Sequence, residues 1–68
     1  MATFKQVKND GQIDAYVCKE NPAIRIEVSR GSFSNNRPTG YNLYYNGELV
    51  NWFLTLGECK EVVNDLLK

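Results

Sequence analysis

The sequence predicts an α+β fold: an antiparallel sheet of four to five strands with one C-terminal helix packed on one face. Three observations carry this. Residues 13–30 alternate apolar and polar with period two on either side of a Pro-containing turn. Asn46-Gly47 sits between two further strand-like runs, and both positions of the favoured two-residue hairpin turn require positive φ. After Leu54 the periodicity changes to that of a helix and stays there to the last residue. Strands followed by a helix point to α+β, with the helix laid across the sheet.

Taken in order, "FKQVK" (4–8) reads as a short strand closed by Asn9-Asp10-Gly11. "IDAYVCK" (13–19) and "IRIEVSR" (24–30) form a hairpin. A four-residue turn, Glu20–Ala23, sets Val17 opposite Ile26 and Ala15 opposite Val28. That register turns Ile13, Ala15 and Val17 inward with Ile24, Ile26 and Val28. It leaves Tyr16 and Arg25 outside, with Cys18 beside Arg25. In the second hairpin Tyr45 pairs with Glu48, Leu43 with Val50 and Tyr41 with Trp52. Tyr41, Leu43, Tyr45, Val50, Trp52 and Leu54 then form the core face, while Asn42, Tyr44, Leu49, Asn51 and Phe53 lie on the other. "TLGE" (55–58) has the pattern of a capping box, in which Thr55 accepts from an orphan N–H and Glu58 reaches back to the Thr55 amide. Leu56, Cys59, Val62, Val63, Leu66 and Leu67 make the apolar ridge behind it.

At 68 residues the chain is one domain, 1–68, with a thin core, and a homodimer is the natural source of further burial. "MATFKQVKND" lacks the apolar run of a secretory signal, and no segment approaches the ~18 apolar residues of a membrane span. The expectation is a cytoplasmic protein with no membrane contact and with Cys18 and Cys59 reduced. Histidine is absent and two distant cysteines match no zinc spacing, so no metal, no cofactor and no enzymatic activity are expected. Eight Lys/Arg balance eight Asp/Glu, which argues against a general nucleic-acid coat protein. Six of the eight bases fall in residues 1–45, so that part is mildly basic and the tail acidic.

A helix covers one side of a sheet, and on the other the sequence register places Tyr16, Arg25, Tyr44 and Phe53. Rings stack on bases and guanidinium groups meet phosphates, so this is a platform of the kind that single-stranded nucleic acid uses. The same residues equally suit a dimer interface or a protein ligand. "RGSFSNNRPTGY" (30–41) joins the hairpins as a long loop, with Arg30 and Arg37 around Phe33. Either those three residues act as a flap on the ligand, or Phe33 folds back to plug the core edge and the arginines are solvated.

"YNLYYNGELVNWFLTLGECKEVVNDLL" (41–67) resembles the end of proteins in the positive-cofactor-four family, through Leu54-Thr55-Leu56, Glu58 and the Val62, Val63, Leu66, Leu67 ridge. The resemblance implies an antiparallel sheet, a dimer and binding of single-stranded DNA. The chain departs from that family in having an acidic Asn46-Gly47-Glu48 turn where a basic glycine turn is usual. The first expectation is therefore a non-enzymatic module that binds single-stranded nucleic acid on the helix-free face. The alternative is a protein–protein module, an inhibitor or adaptor, that uses the same aromatic face.

Overall fold

The computed structural model describes residues 2–30 and 38–68. Five strands, β1 (Phe4–Asn9), β2 (Gln12–Cys18), β3 (Ile24–Arg30), β4 (Pro38–Tyr45) and β5 (Glu48–Phe53), are followed by α1 (Leu56–Leu66). Every strand pairs antiparallel with its sequence neighbour in the order β1-β2-β3-β4-β5, so the sheet is a meander with β1 and β5 as its two edges. No helix among the described residues is long and apolar enough to cross a membrane.

Two tight turns follow directly from local chemistry. Asp10-Gly11 and Asn46-Gly47 both take positive φ, at 53° and 78° and at 54° and 82° respectively. That is the pattern of two-residue hairpin turns, where an Asx residue and a glycine tolerate the left-handed region. Thr55 caps α1, its hydroxyl accepting from the Glu58 N–H at 3.3 Å. The reciprocal bond from Glu58 is absent among the described residues.

Both hairpins differ from the expected register by one residue. In the first, Val17 lies opposite Arg25, Tyr16 opposite Ile26 and Ala15 opposite Glu27. The turn is five residues long, not four. Asn21 builds it by accepting the Ile24 N–H on its carbonyl at 2.9 Å and the Ala23 N–H on its side chain at 3.2 Å. A one-residue slip moves every side chain to the other face, so Tyr16 and Cys18 join Ile24 and Ile26 under the helix. In the second, Tyr45 faces Glu48 and Tyr44 faces Leu49 as expected. The register then shifts, and Leu43 faces Asn51, Asn42 faces Trp52 and Tyr41 faces Phe53. Val50 is the extra residue of a β-bulge. It exchanges Trp52 and Phe53 between faces.

The core is consequently Cys18, Ile24, Ile26, Leu43, Cys59 and Val63, with Phe4, Tyr16, Tyr41, Tyr45, Phe53, Leu56, Val62 and Leu67 packed around it. The helix supplies Cys59 and Val63 as its two buried residues. The N-terminal segment is tied to it where the Ala2 N–H donates to Asn64 Oδ1 at 2.7 Å.

Candidate functional site

Two rows of side chains cross the uncovered face from edge to edge. One is Lys5, Val17, Arg25, Tyr44, Leu49; the other is Val7, Ala15, Glu27, Asn42, Trp52. Partners in an antiparallel ladder share a face, so each row stands on the side away from the core residues Ile26 and Leu43. At the β5 end the face becomes openly apolar. Leu49 is 58% exposed and Trp52 50%, with Leu54 just beyond the strand at 65%; Val50, the unpaired bulge residue of the same edge strand, is 49% exposed. Single exposed apolar residues need no explanation, but consecutive ones along an edge strand do.

Trp52 is the residue that the expected register hid. Its indole lies over Gly40, whose missing side chain makes room: a Cβ there would collide with the ring at Nε1, Cε2 and Cζ2. Gly40 is buried by this contact, although glycine has nothing of its own to bury. A glycine diagonal to a tryptophan, two residues along β4 from its partner Asn42, was the available signal, and the bulge at Val50 concealed it.

Of the residues expected on this face, Arg25 and Tyr44 are there. Arg25 is engaged: its Nε lies 3.5 Å from Glu27 Oε2, with both side chains about half exposed. Such a solvated pair contributes little to stability, yet it halves the free positive charge of the face. Beside it lies an open depression of about 390 Å³ lined by Pro22, Ala23, Arg25, Glu27, Tyr44, Asn46 and Gly47. That volume is at the small end for ligand sites, and it is shallow where such sites are usually deep clefts.

Tyr16 and Phe53 are corrections: both lie on the helix side. The Tyr16 ring meets Phe4 edge-on, with centroids 6.4 Å apart and planes at 83°. The Lys60 ammonium stands 6.0 Å from the Tyr16 ring and 5.5 Å from that of Phe4. Burial raises the Tyr16 phenol above its ordinary pKa, with Tyr41 adding to the effect and Arg30 opposing it. Phe53 packs against the core from beside Tyr41. Cys18 faces Phe4 across β1, not Arg25, and its thiol donates to Glu20 Oε1 at 3.5 Å. Burial pushes the Cys59 thiol up to about 11. Both cysteines are free.

The segment 30–41 is shorter as a loop than its composition suggests. β3 runs through Arg30 and β4 begins at Pro38, a strand's first residue being a position that proline tolerates. Thr39 donates its hydroxyl to the Ser29 carbonyl at 3.2 Å, beside a register shift. Arg30 does not reach outward. Its Nη2 donates to the Ile13 carbonyl at 2.6 Å, and Nε and Nη1 are buried without a partner among the described residues. It follows Ile24, Ile26 and Val28 in strand alternation and so sits on the helix side, with Tyr16 and Tyr41 nearby. Phe33 and Arg37 lie outside the described residues.

No group of His, Cys, Asp or Glu among the described residues is arranged to hold a metal. No known protein family's model matches the chain, and neither a curated protein nor a solved structure matches it.

Proposed function

We propose that the chain is a non-enzymatic protein-binding module that docks through β5 and the adjoining strip of the helix-free face. The observation that carries this is the run of exposed apolar residues on one open edge: Leu49, Val50, Trp52 and Leu54. Interface centres are depleted of charge and enriched in aromatic side chains. Here Glu48 is the sole ionisable residue of β5. A buried tryptophan is the commonest kind of energetic anchor in such contacts. Zero net charge and the Arg25–Glu27 pair point the same way.

A second reading keeps the single-stranded nucleic-acid platform, and one observation favours it: Lys5, Arg25, Tyr44 and Trp52 share the open face. Trp52 takes the place in this platform that the sequence register assigned to Tyr16 and Phe53. The likeness of residues 41–67 to the positive-cofactor-four family belongs with this reading.

Calorimetric titration with a single-stranded oligonucleotide of mixed sequence, at low and at physiological salt, separates the two. Binding through Z phosphates weakens with a log–log slope of about −0.7Z. The protein-docking reading expects no saturable heat at either salt. Salt-steep saturable binding that is lost in Trp52→Ala would overturn it in favour of the platform.

A further inference from the structure

We propose that the partner which fits β5 is β5 of a second copy of this chain, paired antiparallel about a two-fold axis between Val50 and Asn51. This rests on the protein-docking reading and names its partner.

The backbone supplies the first argument. A two-residue turn closes on a pair that exchanges both hydrogen bonds, here Tyr45 and Glu48. Leu49 therefore points its N–H and C=O away from β4. Past the extra residue Val50, Trp52 again points outward. Its N–H is held by the Asn51 side chain, Oδ1 accepting at 2.8 Å, and not by β4. The groups that β5 offers to a neighbour are thus those of Leu49 and Trp52. A two-fold axis between Val50 and Asn51 sets Leu49 opposite Trp52 of the second copy, and Trp52 opposite its Leu49. Each pair then exchanges two bonds, the Trp52 N–H leaving the Asn51 side chain for the Leu49 carbonyl of the second copy. The bulge does not spoil the match, because both strands carry it at the same distance from the axis.

The side chains agree. Leu49 and Trp52 stand on one face because they pair with Tyr44 and Asn42, two residues apart. Without the bulge, residues three apart would lie on opposite faces. Self-pairing therefore joins an exposed leucine to an exposed tryptophan twice over, on the same side of a continuous ten-stranded sheet. Both helices lie on the other side. The charges agree as well. Glu48 falls opposite Phe53 of the second copy, so the two glutamates lie at the far ends of the shared ladder.

The other edge does not offer this. β1 carries Lys5 and Lys8, charges that discourage edge pairing. Self-pairing there would gather four lysines, and β1-to-β5 pairing would leave an open edge at each end and grow without closing.

Sedimentation equilibrium across micromolar to millimolar concentrations tests the proposal, with amide hydrogen exchange run at both ends of the range. The expected result is a monomer–dimer equilibrium from 7.8 kDa to twice that mass. The Leu49 and Trp52 amides should gain protection as the dimer forms, while those of Lys5 and Lys8 stay unchanged. Val50→Lys, which brings two ammonium groups to the axis, should weaken the dimer at least about tenfold, and Lys8→Glu should leave it intact. Hydrogen exchange on the unaltered chain needs no variant to fold. A monomer throughout overturns self-pairing, as does a dimer that leaves the Leu49 and Trp52 amides unprotected. A monomer that ignores the oligonucleotide leaves protein docking standing with a different partner, whereas one that binds it salt-steeply removes both.

Discussion

The two faces of the sheet hold their large side chains in opposite ways. On the helix side Ile24, Ile26 and Leu43 have no exposure at all, and even the tyrosines there are drawn against the cluster. On the open side Leu49 and Trp52 remain at least half in water, and of that face's residues only Ala15 and Gly40 are buried, both too small to matter as apolar surface. The difference teaches that one face carries the fold, while the other keeps apolar area that folding leaves unused.

The most forceful way to break this comparison is truncation on each side. Ile26→Ala or Leu43→Ala should cost roughly 2–5 kcal/mol in urea unfolding, a large share of what so small a domain has. Tyr44→Ala should change stability by less than about 1 kcal/mol. Equal costs would mean that the open face is covered in the protein as it folds.

The cysteines sharpen the same contrast. Cys18 and Cys59 have no exposure, and burial pushes the Cys59 thiol up to about 11. Alkylation at pH 8 should be slower in the native protein than in urea by on the order of 1,000-fold, following the unfolded population. Rapid labelling of either thiol without denaturant would show that the helix lifts from the sheet.

Thr55→Ala removes the cap that starts the helix and should cost about 1 kcal/mol, measured by urea unfolding followed at 222 nm. Gly40→Ala acts on the open side. The new Cβ strikes the Trp52 ring, which is free to swing outward, so stability should fall by about 1 kcal/mol or less. The near-ultraviolet circular dichroism of the indole should nonetheless collapse. A retained signal would place the ring elsewhere.

The smallest effect is electrostatic. Thr3 donates both its N–H and its hydroxyl to Glu20, at 2.9 and 2.7 Å, and these bonds hold the carboxyl down at about 2. A depressed carboxyl stabilises the fold above its ordinary pKa of 4.5, and that contribution is lost as pH falls from there through about 2. Because the group is fully exposed the change should be slight. Glu20→Gln should flatten this part of the acid unfolding curve, and an unchanged curve would show that the bonds do not persist in solution.

Much of this was legible in the chain. Period-two runs, Asn46-Gly47 and Thr55 with Glu58 three residues on were enough for strand order, the second turn and the helix start. What they did not convey was parity. Asn21 adds one residue to a turn, and Val50 adds one to a strand. Neither change alters the apolar count of any segment, yet each exchanges two faces. Tyr16 and Phe53 left the candidate surface for that reason alone, and Trp52 entered it. Arg30 was misplaced differently. It ends the predicted strand 24–30 as it ends β3, but the flap reading turned its guanidinium outward beside Phe33, whereas the Ile13 carbonyl holds it inward.

Trp52 has a further consequence. It is the chain's single tryptophan, and it stands half in water on the surface proposed for docking. The protein therefore carries its own optical probe at the place where a partner would arrive. Emission should lie well to the red in the free protein and move to the blue whenever any body, a second copy included, closes over β5. A screen for that partner needs no dye and no tag.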